Sequence, residues 1–125
     1  MANKVIISGR ITKDLDLRKT QTGLSVLSFN IAVDRIGKDE KTDFIPVVVW
    51  RQSAEFLSQY AHKGTLIFVD GHLQTRIYEN GEQKTTVTEI VAERVEILSQ
   101  PKNKEDIIPH ENVPTVEITD EELPF

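Results

Sequence analysis

The stretch 43–71, "DFIPVVVWRQSAEFLSQYAHKGTLIFVDG", contains the change of periodicity that decides the fold. Residues 43–51 are mostly β-branched or aromatic, which predicts a strand. Three apolar residues then recur at helical spacing: Ala54, Leu57 and Ala61. Ser53 is a candidate N-cap and Gly64 a candidate C′ residue. The stretch therefore predicts a strand, a short helix and a second strand that begins at residue 65.

The segments outside this stretch are predicted to be mainly strands and turns. Four segments are predicted strands: 3–11, 24–35, 65–78 and 84–98. In 24–35, apolar side chains alternate with small or polar ones and share one face: Leu27, Phe29, Ile31 and Val33. Residues 17–23 are predicted to be a loop and 36–42 a turn. Asn80-Gly81 is a strong signal for a two-stranded hairpin.

Five strands with one short helix between the third and fourth match the plan of the OB-fold, a small Greek-key barrel. Gly9 and Gly71 lie inside predicted strands, where glycine suits a bulge or the sharp coiling that closes a small barrel. We therefore expect an all-β, five-stranded OB-fold domain over residues 1–100.

The charge of the chain is concentrated in its last 25 residues. The net charge of the whole is −5, but residues 1–100 carry 13 Lys/Arg and 13 Asp/Glu. Residues 101–125 carry two lysines and seven acids and are interrupted by four prolines. This composition predicts a disordered acidic tail. The alternative is a short ordered segment in which "DII" or "TVEI" packs on the domain.

The chain lacks the residues that several classes of protein function require. The chain has no cysteine, which excludes disulfides and thiolate metal sites and fits a cytoplasmic location. Its three histidines are scattered, so no metal or other cofactor is expected. No phosphate loop, HExxH motif or nucleophile elbow is present, so we do not expect an enzyme. No signal peptide or membrane span is expected either.

The third predicted strand has two faces that cannot both fill the core. Phe44, Pro46, Val48 and Trp50 share one face, and Ile45, Val47 and Val49 share the other. If the second set points inward, Phe44 and Trp50 form an exposed platform on which unpaired bases can stack. If the aromatic rings are core, the valines face a subunit partner. The residues alone leave both alternatives open.

Aromatic and cationic side chains elsewhere could extend such a platform. Tyr78 lies near the predicted hairpin tip, two residues after Arg76. An ordinary hairpin-stabilising role for Tyr78 is the alternative. Nine cations are candidates for contact with phosphate groups: Lys4, Arg10, Arg18, Arg35, Lys38, Arg51, Lys63, Arg76 and Lys84.

The sequence ends in an acidic run followed by apolar residues. The six residues are Asp120, Glu121, Glu122, Leu123, Pro124 and Phe125. Burial of the Phe125 ring in a partner protein, with a partner cation on the terminal carboxylate, would account for this pattern. Pro124 would stiffen the segment and lower the cost of ordering it. A tail that only increases solubility is the alternative.

Taken together, these motifs resemble the bacterial single-stranded DNA-binding protein family. The resemblance runs through "NKVIISGRITKDLDLR", "FNIAVDR", "TDFIPVVVWRQSAE", "YAHKGTLIFVDGHLQTRIYENG" and "TTVTEIVAERVEIL", and resumes at "DEELPF". It implies an OB-fold homotetramer that coats and protects single-stranded DNA in replication, recombination and repair in the cytoplasm, associated with the nucleoid. It implies base stacking at Phe44, Trp50 and Tyr78 and cationic contacts that include Arg18, Lys63 and Arg76. It also implies docking of replication, recombination and repair proteins on 120–125.

Two features depart from the family pattern. The segment 36–42 is short and has Ile36-Gly37 where the family often has an aromatic residue, and Pro46 replaces a common basic residue. These departures keep open a second hypothesis, an OB-fold adaptor that acts mainly through protein contacts and binds DNA weakly.

Overall fold

The computed structural model describes residues 1–37 and 40–101. It contains six strands and one helix in the order β1 Val5–Ile11, β2 Arg18–Lys19, β3 Ser25–Asp34, β4 Thr42–Trp50, α1 Arg51–Tyr60, β5 Leu66–Asn80 and β6 Gln83–Ser99. The five long strands are those predicted. β2 lies inside the predicted loop 17–23, which was therefore wrong in part: Arg18 and Lys19 pair with the start of β3.

The five long strands pair in a closed ring. β1 pairs with β5, β5 with β6, β6 with β4, β4 with β3, and β3 again with β1. All of these pairings are antiparallel except the short contact between β4 and β6, which is parallel. Closure brings the interior faces together, so the buried apolar residues form one core that includes Leu27, Ile31, Val47 and Val69. Helix α1 packs on this core through Ala54, Phe56 and Leu57.

Two glycines allow backbones to approach closely where the ring bends. At Gly71 the register of the β5–β6 pair shifts, and a Cβ there would overlap the carbonyl oxygen of Val91. This agrees with the predicted bulge. At Gly9 the pairing is regular, but a Cβ would lie 2.7 Å from the carbonyl oxygen of Ala32 on β3. Gly9 therefore serves the close contact of β1 with β3 rather than a bulge.

The helix boundaries differ from those predicted at both ends. Ser53 is not the N-cap: the helix begins at Arg51, and Trp50 occupies the cap position without a side-chain hydrogen bond. Arg51, predicted to end the strand, has a φ of 59°. The helix ends at Tyr60 with Ala61 as C-cap, so Gly64 is not the C′ residue. Gly64 instead has a φ of 92° in the turn before β5, where its N–H donates to the carbonyl of Ile11.

The last two strands extend beyond the ring as a two-stranded arm. Residues 73–80 of β5 and 83–86 of β6 are exposed, whereas residues 66–72 of β5 alternate between partly buried and buried positions, and residues 87–99 of β6 include buried, partly buried and exposed positions. The predicted turn is present, since Asn80 pairs with Gln83 and Gly81 has a φ of 69°. The arm places Arg76 and Tyr78 outside the core.

Candidate nucleic-acid interface

Strand β4 turns its small apolar residues inward and its aromatic residues outward. Val47 and Val49 are fully buried. Phe44 is 63% exposed and Trp50 is 36% exposed. Of the two alternatives left open by the sequence, the structure therefore has the aromatic rings on the outer face. Val48 shares that outer face but is itself buried, at the position where β4 pairs with Val91 of β6.

An open groove of about 820 Å³ lies over the outer face of β3 and β4. Trp50 lies on its lining together with Arg76 and Tyr78 of the arm. The remaining lining residues come from the segment between β1 and β3 and from β3 and β4: Lys13, Asp14, Asp16, Arg18, Thr20, Val26, Ser28, Phe29, Asn30 and Val48. We call this surface the groove. It combines aromatic rings with cations, which is the chemistry that holds unpaired bases.

In the groove, Arg76 contacts an aromatic ring and a carboxylate at the same time. Its guanidinium lies 4.8 Å from the centroid of the Tyr78 ring, and Nη2 donates a hydrogen bond to the Tyr78 hydroxyl. Its Nε lies 2.9 Å from Oε2 of Glu89, whose side chain is only 5% exposed. Because Arg76 and Tyr78 are two residues apart on β5, they point to the same side of the arm. The carboxylate and the ring thus fix the guanidinium from two directions.

The rim of the groove nearest β2 carries both signs of charge. Arg18 is paired with Asp16 at 3.1 Å, and both side chains are about three-quarters exposed. Lys13 and Asp14 also line the groove and are exposed. The cations at this rim are therefore free to exchange partners with a ligand, because exposed ion pairs are weak.

Phe44 does not line the groove. It lies six residues before Trp50 on β4, about 20 Å along the strand at ~3.3 Å per residue. Trp50 and Phe44 therefore lie on the same face of β4 but far apart along the strand. A chain of several nucleotides could span both.

Three predicted cations hold the protein itself together. Arg35 makes a bidentate pair with Asp43, at 3.0 and 3.1 Å, across the β3–β4 turn. Hydrogen bonding from Arg35 holds the pKa of the Asp43 carboxyl below its usual value. Arg10 donates to the carbonyl oxygen of Gly64 at 2.9 Å. Lys4 lies 2.6 Å from a carboxylate oxygen of Asp70.

Lys4, which directly precedes β1, belongs to a cluster with residues of β5 and β6. We call Lys4, Asp70, His72 and Glu93 the Lys4 cluster. Glu93 lies 2.7 Å from Nδ1 of His72 and 3.6 Å from Nζ of Lys4. The hydrogen bond with His72 is the main reason that the pKa of the Glu93 carboxyl is lowered, and the pKa of Lys4 is raised mainly by its hydrogen bond with Asp70. None of these four residues lines the groove.

The other predicted site residues are dispersed. Arg51 and Lys63 are exposed at the start of α1 and in the turn after it. Lys84 lies 3.7 Å from Glu79 near the tip of the arm. Lys38 and all six residues of 120–125 lie outside the described residues, as does the predicted disordered tail apart from Pro101.

Sequence reasoning missed part of the groove. Lys13, Thr20, Ser28 and Asn30 were not among the predicted ligands, although all four line it. The alternation of β3 contained the signal, since its small and polar positions must face away from the core. Glu89 was also missed, because a single acid in a strand gives no indication that it is buried.

Among residues 1–37 and 40–101, no three or more His, Cys, Asp or Glu side chains are grouped as a metal site would require. In the same part of the chain, no helix has the length and apolar character needed to cross a membrane.

Comparison with known proteins agrees with the predicted resemblance. The single-strand binding protein family model matches residues 2–98. Single-stranded DNA-binding protein 1 of Staphylococcus aureus (strain MSSA476) is 45% identical over 111 residues, covering 85% of this chain and 70% of the relative. Single-stranded DNA-binding protein 4 of Streptococcus agalactiae serotype V is 40% identical over 138 aligned positions, covering all of both chains.

Proposed function

The chain belongs to the single-strand binding protein family, and we propose that it binds single-stranded DNA without sequence preference and without catalysis. The observation that carries the proposal is the groove, in which Trp50, Tyr78 and Arg76 share an open surface. Each stacked base is worth about 1–3 kcal/mol regardless of its identity, because every base has a π-face. In this account the ring of five strands is the OB-fold barrel of the family.

Phe44 supplies a second stacking position in this proposal, and the cations supply contacts to phosphate groups. Arg18, Lys13, Arg51 and Lys63 are exposed and have room to meet a backbone. The roles proposed for Lys4, Arg10 and Arg35 are weaker, because their charged groups already have protein partners. The same holds in part for Lys84.

Fluorescence tests the proposal directly, because Trp50 is the only tryptophan. We expect poly-dT to quench Trp50 emission, and the log–log salt dependence of affinity to have a slope of about −0.7 for each phosphate contact. Duplex DNA of the same length is the control and should bind far more weakly, because paired bases cannot stack on the protein. No quenching together with no gel shift on a long oligonucleotide would contradict the proposal.

We also propose that the chain assembles as a homotetramer. The edge of β1 from Val5 to Gly9 pairs with β5 on one side only, among the described strands. Ile6 and Leu98 are exposed on outward faces at 64% and 41%. An open strand edge with exposed apolar neighbours favours pairing with a second copy. Mass determination in solution tests this, with Ile6→Lys expected to lower the oligomeric state.

For residues 120–125 we propose docking of replication, recombination and repair proteins in a cytoplasmic, nucleoid-associated setting. The support is the chemistry of the sequence: an acidic run, a stiff proline and an apolar ring. Deletion of Pro124 and Phe125 should abolish recovery of such partners and leave poly-dT binding intact. Equal recovery by the truncated protein would count against docking at this segment.

One observation favours the adaptor as a second candidate function. The cations of the groove, Lys13, Arg18 and Arg76, are matched by Asp14, Asp16 and the adjacent Glu89. A groove without excess positive charge attracts phosphates weakly. If the protein is mainly an adaptor, Phe44→Ala and Trp50→Ala should change the oligomeric state more than the affinity for poly-dT.

A further inference from the structure

Arg76 is the groove cation whose charge is most completely matched by the protein. Its Nε lies 2.9 Å from one carboxylate oxygen of Glu89, and Nη2 lies 3.4 Å from the other. Two nitrogens facing two oxygens give the planar, two-point geometry that guanidinium and carboxylate groups favour. Glu89 stands on β6 opposite Gln74, two register positions from the pair formed by Arg76 and Val87.

The burial of Glu89 distinguishes the Arg76–Glu89 ion pair from the Arg18–Asp16 pair at the rim of the groove. The Glu89 side chain is 5% exposed, whereas Asp16, the partner of Arg18, is 74% exposed. The Asp16 side chain can rotate toward the solvent when a phosphate replaces it as the partner of Arg18. Glu89 cannot, because a buried carboxylate without its partner is strongly unfavourable. Arg76 therefore stays paired with Glu89 when a ligand enters the groove.

We infer that Glu89 is a positioning residue that neutralises Arg76 and holds it as a flat base-contacting surface beside Tyr78, so that Arg76 neutralises no phosphate. The inference rests on the proposed function, since it assigns some side chains of the groove to the DNA bases and others to the phosphate backbone of the DNA. Arg76 and Tyr78 then serve the bases, and the exposed cations of the rim serve the phosphates.

The geometry of the arm supports this division. The guanidinium lies 4.8 Å from the centre of the Tyr78 ring and donates to its hydroxyl. Glu89 thus fixes Arg76, and Arg76 fixes the tilt of the ring. Guanidinium planes and aromatic rings both offer faces on which a base can stack.

Salt titration distinguishes the two roles of an arginine, because only a contact that neutralises a phosphate releases a counterion. The affinity for a dT oligonucleotide is measured across a salt series for the wild type, for Glu89→Gln and for the double variant Arg76→Met with Glu89→Gln. The double variant removes both charges, so no unpaired buried carboxylate remains. Circular dichroism confirms that each variant is folded.

We expect Glu89→Gln to steepen the log–log slope by about 0.7, because the freed charge of Arg76 becomes available to a phosphate. The double variant should return to the wild-type slope but bind about fivefold or more weakly, the lower end of the cost of a lost stacking partner. If Arg76 neutralises a phosphate in the wild type, Glu89→Gln leaves the slope unchanged and the double variant is shallower by about 0.7. That result would overturn the inference. The slope of the double variant is sufficient by itself to decide between the two roles of Arg76.

Arg18→Met is the matched control, because its ion pair is exposed. It should make the slope shallower by about 0.7, which demonstrates that the assay resolves a single phosphate contact. The two proposals fail differently. A wild type that does not bind the oligonucleotide removes the proposed function and the inference together, whereas a binding wild type with a shallower double variant overturns the inference alone.

Discussion

The groove and the Lys4 cluster both place cations beside carboxylates, yet they are suited to different tasks. In the groove, aromatic rings lie beside the charges and the space above them is open. In the Lys4 cluster, Lys4 and His72 meet Asp70 and Glu93. The comparison teaches that a cation is a candidate for phosphate contact only when its protein partners leave it free to exchange them.

The largest effect should come from removing the Trp50 ring from the groove. Trp50→Ala is expected to weaken binding of poly-dT by about 1–3 kcal/mol, roughly 5- to 150-fold, because one stacked base loses its partner. Fluorescence anisotropy of a labelled oligonucleotide measures this loss. Tyr60→Ala is the control, since Tyr60 is 42% exposed on α1 and does not line the groove. Equal losses of affinity in Trp50→Ala and Tyr60→Ala would mean that the groove is no more important for binding poly-dT than the remaining surface.

A comparison of cations from the two regions sharpens the contrast. Arg18→Ala should weaken binding and make the salt slope shallower by about 0.7, whereas Lys4→Ala should leave the slope unchanged, because Lys4 is held by Asp70 and Glu93. Both variants lose one positive charge, so a general charge effect cancels. A slope that changes equally in the two variants would mean that the Lys4 cluster also meets DNA.

A smaller effect, in this case a gain of affinity, is expected from removing an acid at the rim of the groove. Asp16→Asn frees Arg18 and lowers the repulsion of phosphates, so affinity for poly-dT at low salt should rise about threefold. The increase should disappear at high salt, because exposed charges are screened. Glu96→Gln is the matched control, since it also frees an arginine, Arg94, but lies outside the groove. Tighter binding by the control alone would contradict the assignment.

The smallest effect concerns stability in acid. Hydrogen bonding from His72, together with the nearby charge of Lys4, lowers the pKa of Glu93 below its usual value of 4.5. A lowered carboxyl pKa stabilises the fold above about pH 4.5, and this stabilisation is lost as the pH falls through the folded-state pKa. Glu93→Gln should therefore show a smaller fall of Tm than the wild type between about pH 5 and pH 3.

The exposed Glu82 in the hairpin turn provides the control for that measurement. Glu82→Gln should keep the wild-type pH dependence of Tm. If Glu93→Gln also keeps it, the Lys4 cluster does not contribute to acid stability, although the account of the groove would be unaffected.

The chain's local pattern predicted the five long strands, the helix and the hairpin, because alternation and helical spacing are properties of neighbouring residues. The helix ends were less predictable. Ser53 has the right chemistry for an N-cap, but the backbone already turns at Trp50 and Arg51, where the strand must leave the ring. Tertiary closure overrode the local cap signal.

The sequence by itself determined which side chains could serve in binding: it placed Phe44 and Trp50 on one strand face and Arg76 two residues before Tyr78. It left open whether that strand face was core or surface. Only the tertiary structure decided that Trp50 and the arm share one groove, that Phe44 lies apart from it, and that Glu89 is buried against Arg76. The reason is that periodicity fixes the direction of a side chain along its own strand, whereas distances between strands depend on register, bulges and closure of the ring.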